Sequence, residues 1–211
     1  MATFRGLFVV SAVSVSLLGF SSAAQAADAH HNFAVRGIGA EQCSSFLQPA
    51  GKAEIYKNLS IENWVLGYIT ASNRMMPDTY DVMALQQPQI IPNLVVAMCK
   101  ANPKASVEEV VNALIRRLEP IKIDSESPIV TTKNGNNEAD IRKSTLALVE
   151  QGLAKQGDYH GKIDGIYGPD LQKSLVKFQK DQSLPQTGLP DSATIIRLLI
   201  ELPTQGNSQK K

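Results

Sequence analysis

Gly157-Asp158-Tyr159-His160-Gly161-Lys162-Ile163-Asp164-Gly165-Ile166-Tyr167-Gly168-Pro169 sets four glycines and a proline within thirteen consecutive residues. Such a density interrupts any helix or strand, because glycine opens positive φ to the backbone and proline removes a hydrogen-bond donor. Asp164 followed by Gly165 is a turn pair in which the carboxylate accepts neighbouring backbone N–H groups. The stretch therefore reads as one long ordered loop, with Gly157, Gly161, Gly165 and Gly168 as its structural positions. Before it, Ile141, Thr145, Val149 and Leu153, with Leu146 and Leu148 beside them, predict a helix. After it, Leu171, Leu175 and Phe178 predict a second helix over roughly 170–182. Leu184-Pro-Gln-Thr187-Gly188 turns the chain, and Asp191-Ser-Ala-Thr194 opens a third helix carrying Ile195, Leu198 and Leu199. Three short helices packed around a long loop make one small core over 139–203.

Upstream, residues 27–119 predict a second helical domain. Ile61, Trp64, Val65, Tyr68 and Ile69 fall at i, i+3, i+4, i+7 and i+8, which puts one apolar face on a helix. Ile90, Ile91, Leu94, Val95 and Met98 form another stripe, with Pro92 in its first turn or at a kink. Ser106-Val-Glu-Glu109 has the spacing of a capping box, and Val107, Val110, Val111, Leu114, Ile115 and Leu118 follow at helical intervals. A shorter helix around Ala40 to Leu47 carries Cys43. The expected class is all-α, two small helical domains. Residues 120–138 between them, rich in Pro, Ser, Thr, Asn and Gly, read as a linker, and residues 204–211 as a disordered tail.

The N-terminus has the pattern of an export signal. Arg5 precedes an apolar run from Leu7 to Phe20, and small residues lead to Ala24-Gln25-Ala26. The run is short for a membrane span and is interrupted by Ser11, Ser14 and Ser16, so cleavage near Ala26 and release into the periplasm or the medium are expected, with no membrane span in the mature chain. The 211 residues carry 21 Lys and Arg against 20 Asp and Glu. That balance lacks the basic excess by which nucleic-acid binding gains its affinity, so no nucleic-acid partner is expected.

Two cysteines, Cys43 and Cys99, are present. In an oxidising compartment an even count reads first as a disulfide. The alternative, a nucleophilic Cys served by His30 or His31, lacks a positioned base, since both His lie in an N-terminal tail. The first region offers no metal-ligand cluster and no phosphate-binding loop, so neither metal nor cofactor is called for. Asp78 and Asp81 read as turn and cap residues, while Trp64 and Tyr68 either line a groove or join the core. No catalytic residue is assigned, and the chain reads as a non-enzyme.

Two resemblances bear on function. Gly157-x-Tyr159-x-Gly161-x-Ile163-Asp164-Gly165-x-Tyr167-Gly168-Pro169, with Leu175, Phe178-Gln179, Leu184-Pro-x-Thr187-Gly188 and Asp191-x-x-Thr194, closely resembles the peptidoglycan-binding domain that accompanies many bacterial cell-wall hydrolases. It implies a three-helix bundle that takes peptidoglycan as its partner. The sequence departs from the family at Glu150, where Gln is usual, at Gln156, where Leu is usual, and at Leu171, where Thr is usual. Gly39-Ala-Glu-Gln-Cys43, Trp64-Val-Leu-Gly67-Tyr68 and Cys99-Lys-Ala-Asn102-Pro103 resemble small disulfide-bonded helical proteins of the bacterial periplasm, among them the acid-stress chaperone HdeA and type VI secretion immunity proteins. That likeness implies a protein partner for the first domain.

A wall polymer presents hydroxyls, amides and carboxylates, which suit a groove with carbonyls, carboxylates and aromatic faces. Tyr159, Asp164 and Tyr167 are accordingly the candidate ligand-binding residues, although either ring could instead cover the core and Asp164 could instead orient the loop. The expectation is an exported, non-catalytic protein held at peptidoglycan by residues 139–203. The alternatives are a peptidoglycan hydrolase or its accessory subunit, and a periplasmic immunity protein or chaperone.

Overall fold

A computed structural model of the chain describes residues 28, 30 and 32–200. The signal-peptide reading of residues 1–26 and the tail reading of 204–211 lie outside the described residues. The chain divides after Ala34. Before that point Asp28 Oδ1 accepts from the backbone N–H groups of His30 and Asn32, each at 2.8 Å.

From Val35 onward, four helices come first: α1 (Cys43–Phe46), α2 (Glu54–Met75), α3 (Ile91–Ala101) and α4 (Val107–Leu118). Pro92 lies in the first turn of α3, where its missing N–H is harmless. The capping box at α4 is complete: Ser106 Oγ accepts from the Glu109 N–H at 3.1 Å, and Glu109 Oε2 accepts from the Ser106 N–H at 2.7 Å. Cys43 and Cys99 are joined by a disulfide, which fastens α1 to α3 across 56 residues of chain. Ile61, Val65 and Ile69 of α2 are buried with Leu94, Val95 and Met98 of α3 and with Val111 and Leu114 of α4. Trp64 is half-buried, and its Nε1 donates to the Arg36 carbonyl at 2.8 Å. Its ring lies so close to Gly39 that a Cβ there would stand 2.1 Å from a ring carbon, so the approach requires glycine.

The all-α expectation needs correction at one place. Ile129–Asn134 (β1) and Asn137–Arg142 (β2) pair antiparallel, with Val130 opposite Ile141 and Thr132 opposite Ala139. Thr132, Ala139 and Ile141 are buried, while on the outer face Thr131 Oγ1 donates to Asp140 Oδ1 at 2.7 Å and Lys133 pairs with Glu138 at 3.2 Å. The stretch read as a linker at 120–138 thus contains a strand and a turn. Its β-branched run Ile129-Val-Thr-Thr suits a half-buried strand. Gly135, at φ +57°, supplies the positive φ that a two-residue hairpin loop requires.

Strand β2 runs directly into α5 (Lys143–Lys155), followed by α6 (Pro169–Asp181) and α7 (Ser192–Leu199). Leu146, Val149, Leu153, Leu171, Leu175, Phe178 and Ile195 form the core of these three helices. Contacts join this C-terminal region to the segment between α2 and α3. Thr145 Oγ1 donates to the Ala84 carbonyl at 3.3 Å, Ser192 Oγ meets Gln87 Oε1, and the Arg142 guanidinium lies 5.1 Å from the centre of the Tyr80 ring. Among the described residues no helix is long and apolar enough to cross a membrane.

Candidate functional site

The loop between α5 and α6 is held by its own backbone and by buried polar side chains. Helix α5 ends in a Schellman turn: Asp158 N–H donates to the Leu153 carbonyl at 2.9 Å and Gly157 N–H to the Ala154 carbonyl at 3.0 Å, with Gly157 at φ +79°. At the far end Gly168, extended at φ −142°, is the N-cap of α6, and Pro169 opens that helix. Gly161 faces the Tyr159 ring so closely that a Cβ would stand 2.4 Å from its hydroxyl oxygen.

Glu150 carries the centre of the loop. It is fully buried, and its Oε2 accepts from the N–H groups of Asp164 and Gly165, both at 2.8 Å. Its Oε1 is buried without a partner. Gly165 sits at φ +67°, and a Cβ on it would lie 2.4 Å from the Lys143 carbonyl oxygen. The Asp164-Gly165 turn is therefore pressed onto the first turn of α5 while Glu150 satisfies its donors from below. Asp164 continues the turn upward, its Oδ1 accepting from Ile166 N–H at 3.1 Å and its Oδ2 lying 3.7 Å from Lys162 Nζ.

A second buried polar centre ties α6 to α7. Gln179 has no exposed surface; its two Nε2–H donors are shared among Thr187 Oγ1, the Leu189 carbonyl and Thr194 Oγ1, at 3.0, 2.9 and 2.9 Å from the nitrogen, and its Oε1 accepts from Gly188 N–H at 2.8 Å. Asp191 caps α7 by accepting from Thr194 N–H at 2.9 Å.

The sequence-predicted ligand residues occupy different places. Tyr159 is 8% exposed, and its hydroxyl donates to the Lys162 carbonyl at 3.0 Å. Burial, with the Glu150 and Asp164 carboxylates adding to it, holds that phenol above its ordinary range. Tyr167 is half-buried, its hydroxyl donating to the Gly188 carbonyl at 2.8 Å, and burial raises it too. Both rings thus brace the loop. Tyr159 also lines a depression of about 310 Å³ together with Asp158, His160, Asp170 and Lys173. Asp164 and Ile163 line a separate one of about 400 Å³, whose other walls include Ser125, Glu126 and Lys143. Tyr167 lines neither of these two. Lys177 bridges Asp158 at 2.6 Å and Asp181 at 3.0 Å, and the hydrogen bond to Asp158, above all, raises its pKa. No group of His, Cys, Asp and Glu suited to a metal ion occurs among the described residues.

Sequence reasoning passed over Glu150 and Gln179 as working residues, although a signal was present. Glu150 extends the inward stripe Leu146, Val149, Leu153, and Gln179 extends Leu171, Leu175, Phe178. A polar side chain at an inward helical position must find partners, because its burial is otherwise unfavourable.

Comparison with known proteins bears on this same segment. Residues 142–198 match the family model described as "Putative peptidoglycan binding domain". The chain is 47% identical over 60 residues to the "Putative OxPP cycle protein OpcA" of Synechococcus elongatus, covering 25% of this chain and 14% of that protein. It is 35% identical over 57 residues to the "Localization factor PodJL" of Caulobacter vibrioides, covering 27% of this chain and 6% of that protein. A second OpcA, from Nostoc punctiforme, is 34% identical over 73 residues, 31% of this chain and 16% of its own length. The chain thus spans less than a fifth of the length of these curated relatives. No solved structure matches it.

Proposed function

We propose that this is an exported, non-catalytic protein that binds peptidoglycan through residues 139–203 and holds its N-terminal helices at the cell wall. The observation that supports it most directly is the family match over 142–198, which spans the buried network that fixes the loop. A loop held by such hydrogen bonds is pre-organised, so a ligand meets fixed groups and little ordering entropy is lost on binding. Asp164 is the ligand contact we assign at one depression, where its Oδ2 has, among the described residues, only the 3.7 Å Lys162 pair. Tyr159 contributes the ring at the other depression, and Tyr167 holds the loop against Gly188. The disulfide between Cys43 and Cys99 fits an extracytoplasmic location, where such bonds persist. The helices it fastens are assigned to a protein partner in the envelope.

The test is co-sedimentation of the full chain with purified sacculi, with soluble muropeptides assayed in the supernatant. Saturable sedimentation without muropeptide release is the expected result. Release would make the protein an enzyme of the wall, and absence of sedimentation would remove the wall-binding role.

A further inference from the structure

The C-terminal halves of α2 and α4 enclose a cavity of about 410 Å³ that lies away from the loop. Helix α2 contributes Tyr68, Ala71, Ser72 and Met75, which the helical repeat places on one face, and Met76 follows at its extended C-cap. Tyr68 closes one end. Its hydroxyl donates to Oε1 of the buried Glu108 at 2.8 Å and pins the two helices together there. Past that contact the next lining side chains of α2, Ala71 and Ser72, are small and leave space between the helices. Ile115 of α4 supplies the opposite apolar wall. Met75 is 72% exposed, a large apolar surface left to water at the open side. Methionines at such a place adapt to varied apolar ligands.

The polar groups of the cavity are unequal. Arg116 Nε donates to Asn112 Oδ1 at 3.1 Å, and no carboxylate pairs with the guanidinium among the described residues. Glu119, one turn further along α4, lies at the helix C-cap. An anionic group is therefore attracted at Arg116 and repelled at Glu119, which gives a bound molecule one preferred orientation. The volume lies in the range of small-ligand pockets and is too small for a folded partner.

We infer that this wedge binds a single-chain amphiphile with an anionic head, its apolar chain along Ala71, Met75, Met76 and Ile115 and its head against Arg116. This goes beyond the wall-binding reading and does not depend on it.

Titration calorimetry with laurate and with dodecylamine, both below their micellar concentrations, tests it on the full chain. Laurate is expected to bind at one site, with dodecylamine at least about tenfold weaker. Ala71→Phe fills the wedge from an exposed helix position and is expected to abolish laurate binding while leaving the helical circular dichroism unchanged. Arg116→Gln is expected to weaken laurate by about tenfold and to leave dodecylamine unmoved. Should Ala71→Phe not fold, Met75→Asp at another exposed position is expected to weaken laurate. No saturable laurate binding, equal affinity for the two amphiphiles, or wild-type laurate affinity in Arg116→Gln and Met75→Asp would overturn the inference.

Discussion

Replacing Glu150 by alanine removes the acceptor of two backbone donors at once, one buried and one partly buried. Asp164 N–H and Gly165 N–H each reach Glu150 Oε2 at 2.8 Å, and Gly165 is itself buried, so water cannot freely replace the lost oxygen. Each such hydrogen bond contributes about 0.5–1.5 kcal/mol, and a buried donor left unmade costs about 1–3 kcal/mol. Against this stands a relief: Oε1 of the same carboxylate is buried without a partner, so its removal recovers part of the burial penalty. The balance is a net loss of about 2–4 kcal/mol. For a chain of this size that lowers Tm by roughly 4–16 °C. Glu150→Gln keeps a carbonyl oxygen where both N–H groups point and is expected to lose less than about 1 kcal/mol. Thermal and urea unfolding measure the difference, and amide exchange locates it, with Asp164 and Gly165 exchanging fastest relative to wild type in Glu150→Ala. An alanine variant within about 0.5 kcal/mol of wild type, or a glutamine variant as damaged as the alanine one, would refute the assignment of Glu150 as the support of the loop.

Gly165→Ala places a Cβ at φ +67° and 2.4 Å from the Lys143 carbonyl oxygen, so it should destabilise by more than about 1 kcal/mol in urea unfolding and weaken sacculus binding with it. Cys43→Ser with Cys99→Ser opens a loop of 56 residues, for which the chain-entropy model gives a loss of about 4 kcal/mol, and reduction of the wild type should lower Tm comparably. Tyr68 is pushed up to about 12, first by burial and then by its hydrogen bond to Glu108. Because the folded chain holds this proton more tightly than the unfolded one, stability is intact below about pH 10 and falls as the pH rises from there toward 12. Unfolding midpoints measured from pH 8 to 11.5 should show that fall in the wild type and a shallower one in Tyr68→Phe.

The helices were legible because their apolar residues recur at helical spacing and their ends carry readable caps. Ser106 with Glu109 and Asp191 with Thr194 form the hydrogen bonds that their spacing announces. The loop was legible for the same local reason: Gly157 and Gly165 stand where the backbone takes positive φ. The hairpin was missed because Thr, Asn and Gly are also linker residues, and the compositional reading outweighed the β-branched run at 129–132. Tyr159 and Tyr167 show the limit of residue-type reasoning. An aromatic ring on a glycine-rich loop suits a ligand face, yet the hydroxyls of these two find carbonyls at Lys162 and Gly188 that lie 3 and 21 residues along the chain. Only the closed fold reveals such partners, and the same holds for the wedge beside Ala71, which two separate helices create.

The most direct test of wall binding through the C-terminal helices is an amide chemical-shift titration of the labelled full chain with soluble muropeptides. Saturable shifts concentrated at 158–167, and at 125–127 and Lys143 across the depression that Asp164 lines, are predicted. Shifts confined to 43–118, or none at muropeptide concentrations in the millimolar range, would contradict it.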